Sequence, residues 1–241
     1  MHAISSGLRI FYRRTGRPDG LPLLIVHGLS YTSQDWAPLA ERLGERREVI
    51  CIDMRGFGES DWSPQKDYSV PAMAGDIVAV LDEAGWPRAV LAGHSMGGRS
   101  AAYAAAKHPG RVAGLALLDY TPENAPAGTR RTAENVVNKP DRFRRDPHFR
   151  EQFKRLLETG ERPKLGVDMW QVLGEVRCPV LSLRGSRSDM YAPETKDKMR
   201  AANSRLQVRE VDAGHNIAGD NPDGFLKEMD SFLEEIERAT A

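Results

Sequence analysis

The sequence predicts an α/β fold, with a mostly parallel central sheet, helices on both faces of that sheet and an inserted helical cap. Three observations support this prediction. Short apolar runs recur along the 241 residues, stretches with helical spacing lie between them, and one long polar segment interrupts the alternation. The length fits one large domain that carries an insertion.

The predicted strands fall into two kinds. Five runs are apolar at nearly every position, as in strands buried on both faces of a sheet. They are residues 23–26, 49–52, 89–92, 115–118 and 180–183. Residues 8–13 and 206–211 alternate between apolar and polar side chains, which is typical of strands near an edge.

Helices are predicted between these strands, where apolar residues recur with helical spacing. They cover residues 36–43, 70–84, 99–108, 194–202 and 222–237. The last helix has the clearest signals, because Asn221 can cap it and Pro222 suits its first position.

Residues 121–174 differ from the rest of the chain. The segment is polar, contains five prolines and has no strand-like run. Since it is too long for a plain connection, we predict a helical cap over the carboxyl edge of the sheet, where such sheets bind ligands. The predicted organisation is a core of residues 1–120 and 175–241 with a cap of residues 121–174.

Composition excludes several classes of function. The formal net charge of zero argues against a protein that binds nucleic acid or anionic membranes. No apolar run approaches the roughly 20 residues that span a bilayer, and the first residues do not resemble a signal peptide.

Cys51 and Cys178 look like small buried thiols, so a cytoplasmic protein is expected. Neither metal-ligand spacing nor a nucleotide motif is present, so no metal or cofactor is expected.

Gly93-His94-Ser95-Met96-Gly97 is the most informative stretch of the sequence. An apolar strand precedes it and a helix rich in small residues follows it. A serine at such a junction is typical of the nucleophile elbow G-x-S-x-G, in which strained backbone exposes the hydroxyl. The alternative is a glycine-rich turn with an incidental serine. Ser95 is the predicted nucleophile.

Val26-His27-Gly28-Leu29 ends another apolar strand. A loop in this position can supply one backbone N–H to an oxyanion, here from Leu29. The residue after the nucleophile, Met96, supplies the second N–H. His27 is predicted to be hydrogen-bonded within its own turn rather than catalytic.

His215 is the predicted general base. It lies on a loop between the last strand and the last helix, where an imidazole can accept the serine proton and return it to the leaving group. The other histidines have weaker cases, and His94 is interpreted as a spacer within the elbow.

Two aspartates could orient His215. Asp119 ends the strand of residues 115–118 and Asp189 follows the strand of residues 180–183, so either satisfies the chain order Ser, Asp, His. Structural roles are open to both as well, since Asp119 could cap the inserted segment and Asp189 could form the turn before the next helix. The residues alone leave the choice open.

Six segments in order, HGLS, DMRGFGES, GHSMGG, LLDYTP, LRGSRSD and AGHN, resemble the α/β-hydrolase superfamily. The resemblance covers nearly the whole chain except the cap. It implies the α/β-hydrolase fold and a serine nucleophile with a histidine base. It also implies that the loop DMRGFGES is mainly architectural, with Arg55 in a structural ion pair.

The acid departs from the commonest pattern of that superfamily. In most members it stands three residues after the glycine that ends the seventh strand, a position that Ser188 occupies here. A smaller branch of esterases, which the chain resembles more closely, carries the acid in D-x-x-P after the sixth strand and serine at the usual position. Residues 119–122 (DYTP) and Ser188 match that branch. The resemblance favours Asp119 as the acid, with Ser188 as an accessory hydrogen-bonding residue and Asp189 as the rival.

These residues predict a serine hydrolase that cleaves a small-molecule carboxylic ester through an acyl-enzyme. Thioesterase, lactonase, amidase and carbon–carbon hydrolase reactions use the same apparatus and are alternatives. A ligand-binding protein with little turnover is a further alternative. Ser95 argues against a dehalogenase or an epoxide hydrolase, which carry aspartate as nucleophile. The sequence gives neither the substrate nor the oligomeric state.

The predicted cap bears on specificity. Residues 130–155 contain nine Lys or Arg against four Asp or Glu. Such a run usually forms a solvated helical surface, and the alternative is a basic rim that attracts an anionic substrate. Trp170, near the return to the core, is predicted either to line the substrate pocket or to pack the cap.

Overall fold

The computed structural model describes residues 1–123, 125–138, 144–161, 166–192 and 194–240. Its strands are β1 His2–Ser5, β2 Leu8–Gly16, β3 Leu23–Val26, β4 Glu48–Ile52, β5 Ala89–His94, β6 Val112–Leu118, β7 Val180–Gly185 and β8 Leu206–Val211. They form one sheet in the order β1-β2-β4-β3-β5-β6-β7-β8. β2 pairs antiparallel with β1 and β4, and the pairs from β4 to β8 are parallel. The predicted mostly parallel sheet is confirmed.

Every predicted strand is present, and β1 is an addition. It pairs with β2 through the turn Ser6-Gly7, whose φ angles are 49° and 80°. Positive φ at both central residues gives the tight turn that suits a twisted hairpin. β1 was not predicted, because a pattern of alternating side chains is not recognisable in four residues.

The helices are α1 Ser33–Leu43, α2 Val70–Glu83, α3 Met96–Lys107, α4 Pro126–Asn138, α5 Pro147–Thr159, α6 Met169–Glu175, α7 Thr195–Ala202, α8 Ile217–Asp220 and α9 Pro222–Thr240. α1 begins three residues before its predicted start. The carboxylate of Asp35 accepts a hydrogen bond from the N–H of Thr32 at 2.8 Å and thereby fixes the first turn.

Apolar side chains fill both faces of the sheet. α1 and α9 cover one face, with Trp36 and Phe225 among the buried side chains. α2, α3 and α6 cover the other face, with Ile77, Ala101 and Leu173 among the buried side chains. Burial of one such large apolar side chain contributes roughly 1.5–3 kcal/mol. Because both faces are covered, polar chemistry is confined to the edges of the sheet.

The segment between β6 and β7 forms α4, α5 and α6 in its described part. α4 and α5 pack on each other, whereas α6 packs on α3 and α7. α6 therefore joins the layer that covers the sheet. Residues 124, 139–143 and 162–165 of the predicted cap lie outside the described residues. The proposed cap boundaries stay a prediction.

The loop after β4 attaches the start of α5 to the core. The N–H of Gly58 donates to the carbonyl of Arg144 at 2.7 Å, and the N–H of Asp146 donates to the carbonyl of Gly56 at 2.8 Å. In the same loop Arg55 forms a buried ion pair with Asp76 at 2.7 Å, as predicted for a structural arginine. This part of the cap segment is therefore held at a fixed place.

The remaining sequence expectations concern cysteines and membrane spans. Cys51 and Cys178 are both buried thiols, and burial raises the pKa of Cys51 to about 12. In the described ranges no helix combines the length and hydropathy needed to cross a membrane.

Candidate active site

Ser95 lies at the tight junction between β5 and α3. Its φ of 51° is rare for a residue with a side chain, and such strain persists only where the surroundings impose it. A Cβ on Gly93 would lie 2.6 Å from the carbonyl oxygen of Gly97, and one on Gly97 would lie 2.4 Å from that of Val26. Both positions therefore require glycine, and the backbone of a nucleophile elbow results.

His215 lies beside Ser95. The Nε2 atom of His215 is 3.1 Å from Ser95 Oγ, and its Nδ1 is 2.6 Å from Oδ2 of Asp119. A carboxylate can only accept, so Nδ1 carries the proton and Nε2 is left as an acceptor for the serine hydroxyl. The three residues thus form the hydrogen-bonded chain that general-base activation of a serine requires.

Asp119 is held by its surroundings. Its side chain is fully buried, and its φ of 44° turns the chain directly after β6. Oδ1 accepts from the N–H of Gly185 at 3.0 Å, and Oδ2 accepts from Ser188 Oγ at 2.5 Å as well as from His215. These bonds compensate for the burial of the carboxylate and fix its orientation.

Asp189 has a different partner. Its two carboxylate oxygens accept from Nε and Nη2 of Arg131, at 2.6 and 2.7 Å. The hydrogen bonds from Arg131 hold the pKa of Asp189 below its usual value. The structure thus brings Asp119 and Ser188 together with His215, and it places Asp189 in an ion pair with α4.

The predicted oxyanion donors lie at the same edge of the sheet. Met96 is the first residue of α3 and Leu29 follows β3, and both line the cavity next to Ser95. Among the described residues, no group accepts a hydrogen bond from either N–H. The two donors are thus available to an oxygen that develops negative charge.

The other two histidines near this edge are buried. Nδ1 of His27 donates to the carbonyl of Gly28 at 2.8 Å, which is the bond within its own turn that was predicted. Its Nε2 accepts from the N–H of Met54 at 3.0 Å and so also links the turn to the loop after β4. His94 is more than the spacer that the sequence suggested, because its Nε2 lies 2.9 Å from the carbonyl oxygen of His215. The only signal in the sequence for this contact was its place next to Ser95.

A cavity of about 430 Å³ opens beside Ser95. Its apolar wall comes from the loop after β3, from the elbow, from α2, from the cap and from the loop after β7, and includes Leu29, Met73, Met96, Phe149, Phe153, Leu156 and Met190. Lys66, Asp67 and Glu123 contribute exposed charges, and Arg99 lies one helical turn after Ser95. Trp170 does not line this cavity. It lies on α6 and packs half-buried against the core, which corrects the expectation of a pocket residue.

No group of three or more potential metal-ligating side chains occurs within the residues that the structure describes.

Comparisons with known proteins identify the family. A model of the alpha/beta hydrolase fold matches residues 22–150, which is more than half of the chain, so the chain belongs to the α/β-hydrolase family. N-formylmaleamate deformylase of Pseudomonas putida is 30% identical over 95% of this chain and 94% of its own length. The predicted family and fold are confirmed, and the chain is a hydrolase of this family.

Two solved structures agree with this assignment. An α/β hydrolase from Novosphingobium aromaticivorans superposes with a TM-score of 0.78 at 27% identity, over 97% of both chains. A thermophilic esterase from Thermogutta terrifontis superposes with a TM-score of 0.75 at 26% identity, over 98% of both chains.

Proposed function

We propose that the chain is a serine hydrolase that cleaves carboxylic esters of small molecules through an acyl-enzyme. The observation that carries the proposal is the hydrogen-bonded chain from Ser95 through His215 to Asp119 beside an apolar cavity. This arrangement supplies an activated nucleophile, a base and a fixed acid within one site.

The reaction proceeds in two halves. His215 Nε2 accepts the proton of Ser95 as Oγ attacks the acyl carbon, and Asp119 stabilises the imidazolium that forms. The N–H groups of Leu29 and Met96 bind the oxyanion. His215 then protonates the departing alcohol, and a water activated by the same imidazole releases the acid from Ser95.

The cavity supports an ester with an apolar portion. Its wall is formed mainly by aliphatic, thioether and aromatic side chains, which favour burial of an acyl or alkyl group. The similarity to the Thermogutta esterase supports ester chemistry on this fold.

The test is hydrolysis of a p-nitrophenyl ester series, from acetate to palmitate. Ser95→Ala should lower kcat roughly 10⁴- to 10⁶-fold, because the nucleophile and its protonation chain act as one unit. Ser186→Ala, at an exposed position outside the site, serves as the matched control, and its kcat should equal that of the wild type. Fluorophosphonate labelling of the wild type but not of Ser95→Ala provides an independent measure of the nucleophile.

A wild type that is labelled yet hydrolyses no ester would overturn the ester proposal. The same triad would then be assayed with thioesters, lactones, amides and carbon–carbon substrates, which share the acyl-enzyme chemistry. A wild type that is neither labelled nor active would support a ligand-binding protein with little turnover.

A second candidate is hydrolysis of an amide that carries a carboxylate. It is favoured by the similarity to N-formylmaleamate deformylase over 95% of this chain. It is also favoured by Arg99, which lines the cavity close to Ser95 and suits a substrate carboxylate.

Matched esters and amides with and without a carboxylate separate the two candidates. Under the second candidate Arg99→Met should raise KM for the charged substrate alone, and Arg99→Lys should recover part of that loss. Equal kinetics on charged and neutral substrates would leave the neutral ester as the better proposal.

A further inference from the structure

The ring of His94 joins the loops that carry the proposed oxyanion donor and the proposed base. On one side its Nε2 lies 2.9 Å from the carbonyl oxygen of His215, and the two imidazole centroids are 4.8 Å apart. On the other side the ring packs on Gly28, where an added Cβ would lie 2.6 Å from His94 Nδ1. His94 also directly precedes Ser95 in the chain.

The hydrogen-bond partners determine which nitrogen of His94 carries the proton. A backbone carbonyl only accepts, so Nε2 must be the donor to His215. The Nδ1 atom is buried and has no hydrogen-bond partner among the described residues. A second proton on Nδ1 would therefore place a charge where neither water nor an acceptor can stabilise it.

His94 consequently stays neutral while the site works. Burial lowers its pKa to about 3, and the titratable groups around it among the described residues are His215, His27 and Tyr31. His27 is itself buried, and burial lowers its pKa as well. His94 is therefore a constant donor over the pH range in which hydrolases are assayed.

We propose that His94 is a positioning residue, whose Nε2–H fixes the main chain of His215 so that the imidazole faces Ser95 and Asp119. The inference rests on the proposed function. It follows from the geometry, because His94 is the last residue of β5 and Ser95 follows it directly in the elbow. The donor on one residue and the nucleophile on the next therefore fix the base at two points.

Two variants separate the hydrogen bond from the space that the ring fills. His94→Gln can place an amide N–H close to the position of Nε2, whereas His94→Met has a similar volume and no donor. His94→Met should lower kcat and the fluorophosphonate labelling rate about 10- to 100-fold with little change in KM, because a misplaced base affects the chemical step. His94→Gln should recover most of this loss. Thermal unfolding of both variants monitors the fold.

The outcomes distinguish the inference from the proposal on which it rests. Wild-type protein that is neither labelled nor active would overturn both. Active wild type with a fully active His94→Met would overturn the inference alone. An equal loss of kcat in both variants would also overturn it, because the volume of the ring and not its N–H would then matter. Rescue by glutamine at equal thermal stability supports it.

Discussion

The loops that follow β6 and β7 each place one aspartate at the same edge of the sheet, and the two carboxylates have opposite surroundings. The side chain of Asp119 is fully buried, and it accepts from a backbone N–H, from Ser188 and from His215. The side chain of Asp189 is 37% exposed and is paired with Arg131 of α4.

This difference is the reason to propose Asp119, and not Asp189, as the acid that orients His215. Among the described residues, Asp119 accepts hydrogen bonds from no arginine or lysine, and His215 is the one ionisable side chain that donates to it. The carboxylate of Asp189 accepts two hydrogen bonds from the guanidinium of Arg131, which balances its charge. Both aspartates fit the order of a Ser, Asp, His triad along the chain equally well. Their burial and their hydrogen-bond partners distinguish them.

The largest expected effect comes from the acid itself. Asp119→Asn should lower kcat about 10³- to 10⁴-fold, because an amide can donate to Nδ1 and favours the wrong tautomer of His215. Asp189→Asn should retain most of the activity. The measurement is kcat and kcat/KM of both variants on the best p-nitrophenyl ester.

Thermal unfolding of Asp119→Asn provides the control, because the residue is buried. The reverse result, with activity lost in Asp189→Asn and kept in Asp119→Asn, would contradict the comparison and assign the triad to Asp189.

The sequence was most informative where the chemistry is local. The glycines on either side of Ser95 are needed by the elbow itself, so a run of five residues predicts it. His215 could be placed because a loop between the last strand and the last helix lies at the carboxyl edge of a parallel sheet. The buried strands were visible for a similar reason, since each is apolar along its whole length.

The choice of acid depends on contacts that no local pattern contains. Asp119 meets His215 across 96 residues of chain and Ser188 across 69. The residues alone left two candidates, and only the resemblance to an esterase branch favoured Asp119. The contact of His94 with His215, across 121 residues, was missed for the same reason.

The cap was the least predictable region. Its helices could be expected from length and composition, but their packing partners could not. α6 lies on α3 and α7, which takes Trp170 away from the cavity. Phe149 and Phe153 of α5 line the cavity in its stead, and nothing in their spacing distinguishes them from ordinary core residues.

A smaller effect is expected from Ser188, whose hydroxyl donates to Asp119. Ser188→Ala removes one of the two side-chain donors to Oδ2, and kcat should fall about 10-fold, in line with the value of a hydrogen bond to a charged group. Ser186→Ala, two residues earlier and exposed, is the matched control. Activity equal to the wild type in Ser188→Ala would show that the backbone N–H of Gly185 and His215 are sufficient to hold the carboxylate.

The smallest expected effect concerns the pair of Asp189 and Arg131. Its partners are 37% and 39% exposed, so the pair should contribute less than about 1 kcal/mol to the free energy of unfolding. Because the folded-state pKa of Asp189 is lowered, this contribution is present at neutral pH and is lost as the pH falls and Asp189 takes up its proton. Arg131→Met and Asp189→Asn should therefore destabilise equally at pH 7, and the double variant no further.

The same Arg131→Met variant tests how independent the two loops are. α4 is held to the loop after β7 at a second point, where the N–H of Ala125 donates to the carbonyl of Met190 at 3.0 Å. Loss of the ion pair should therefore leave Ser188 in place and kcat close to that of the wild type. A fall in kcat as large as that of Ser188→Ala would mean that loss of the ion pair displaces Ser188 and, through it, Asp119. The two aspartates would then be coupled.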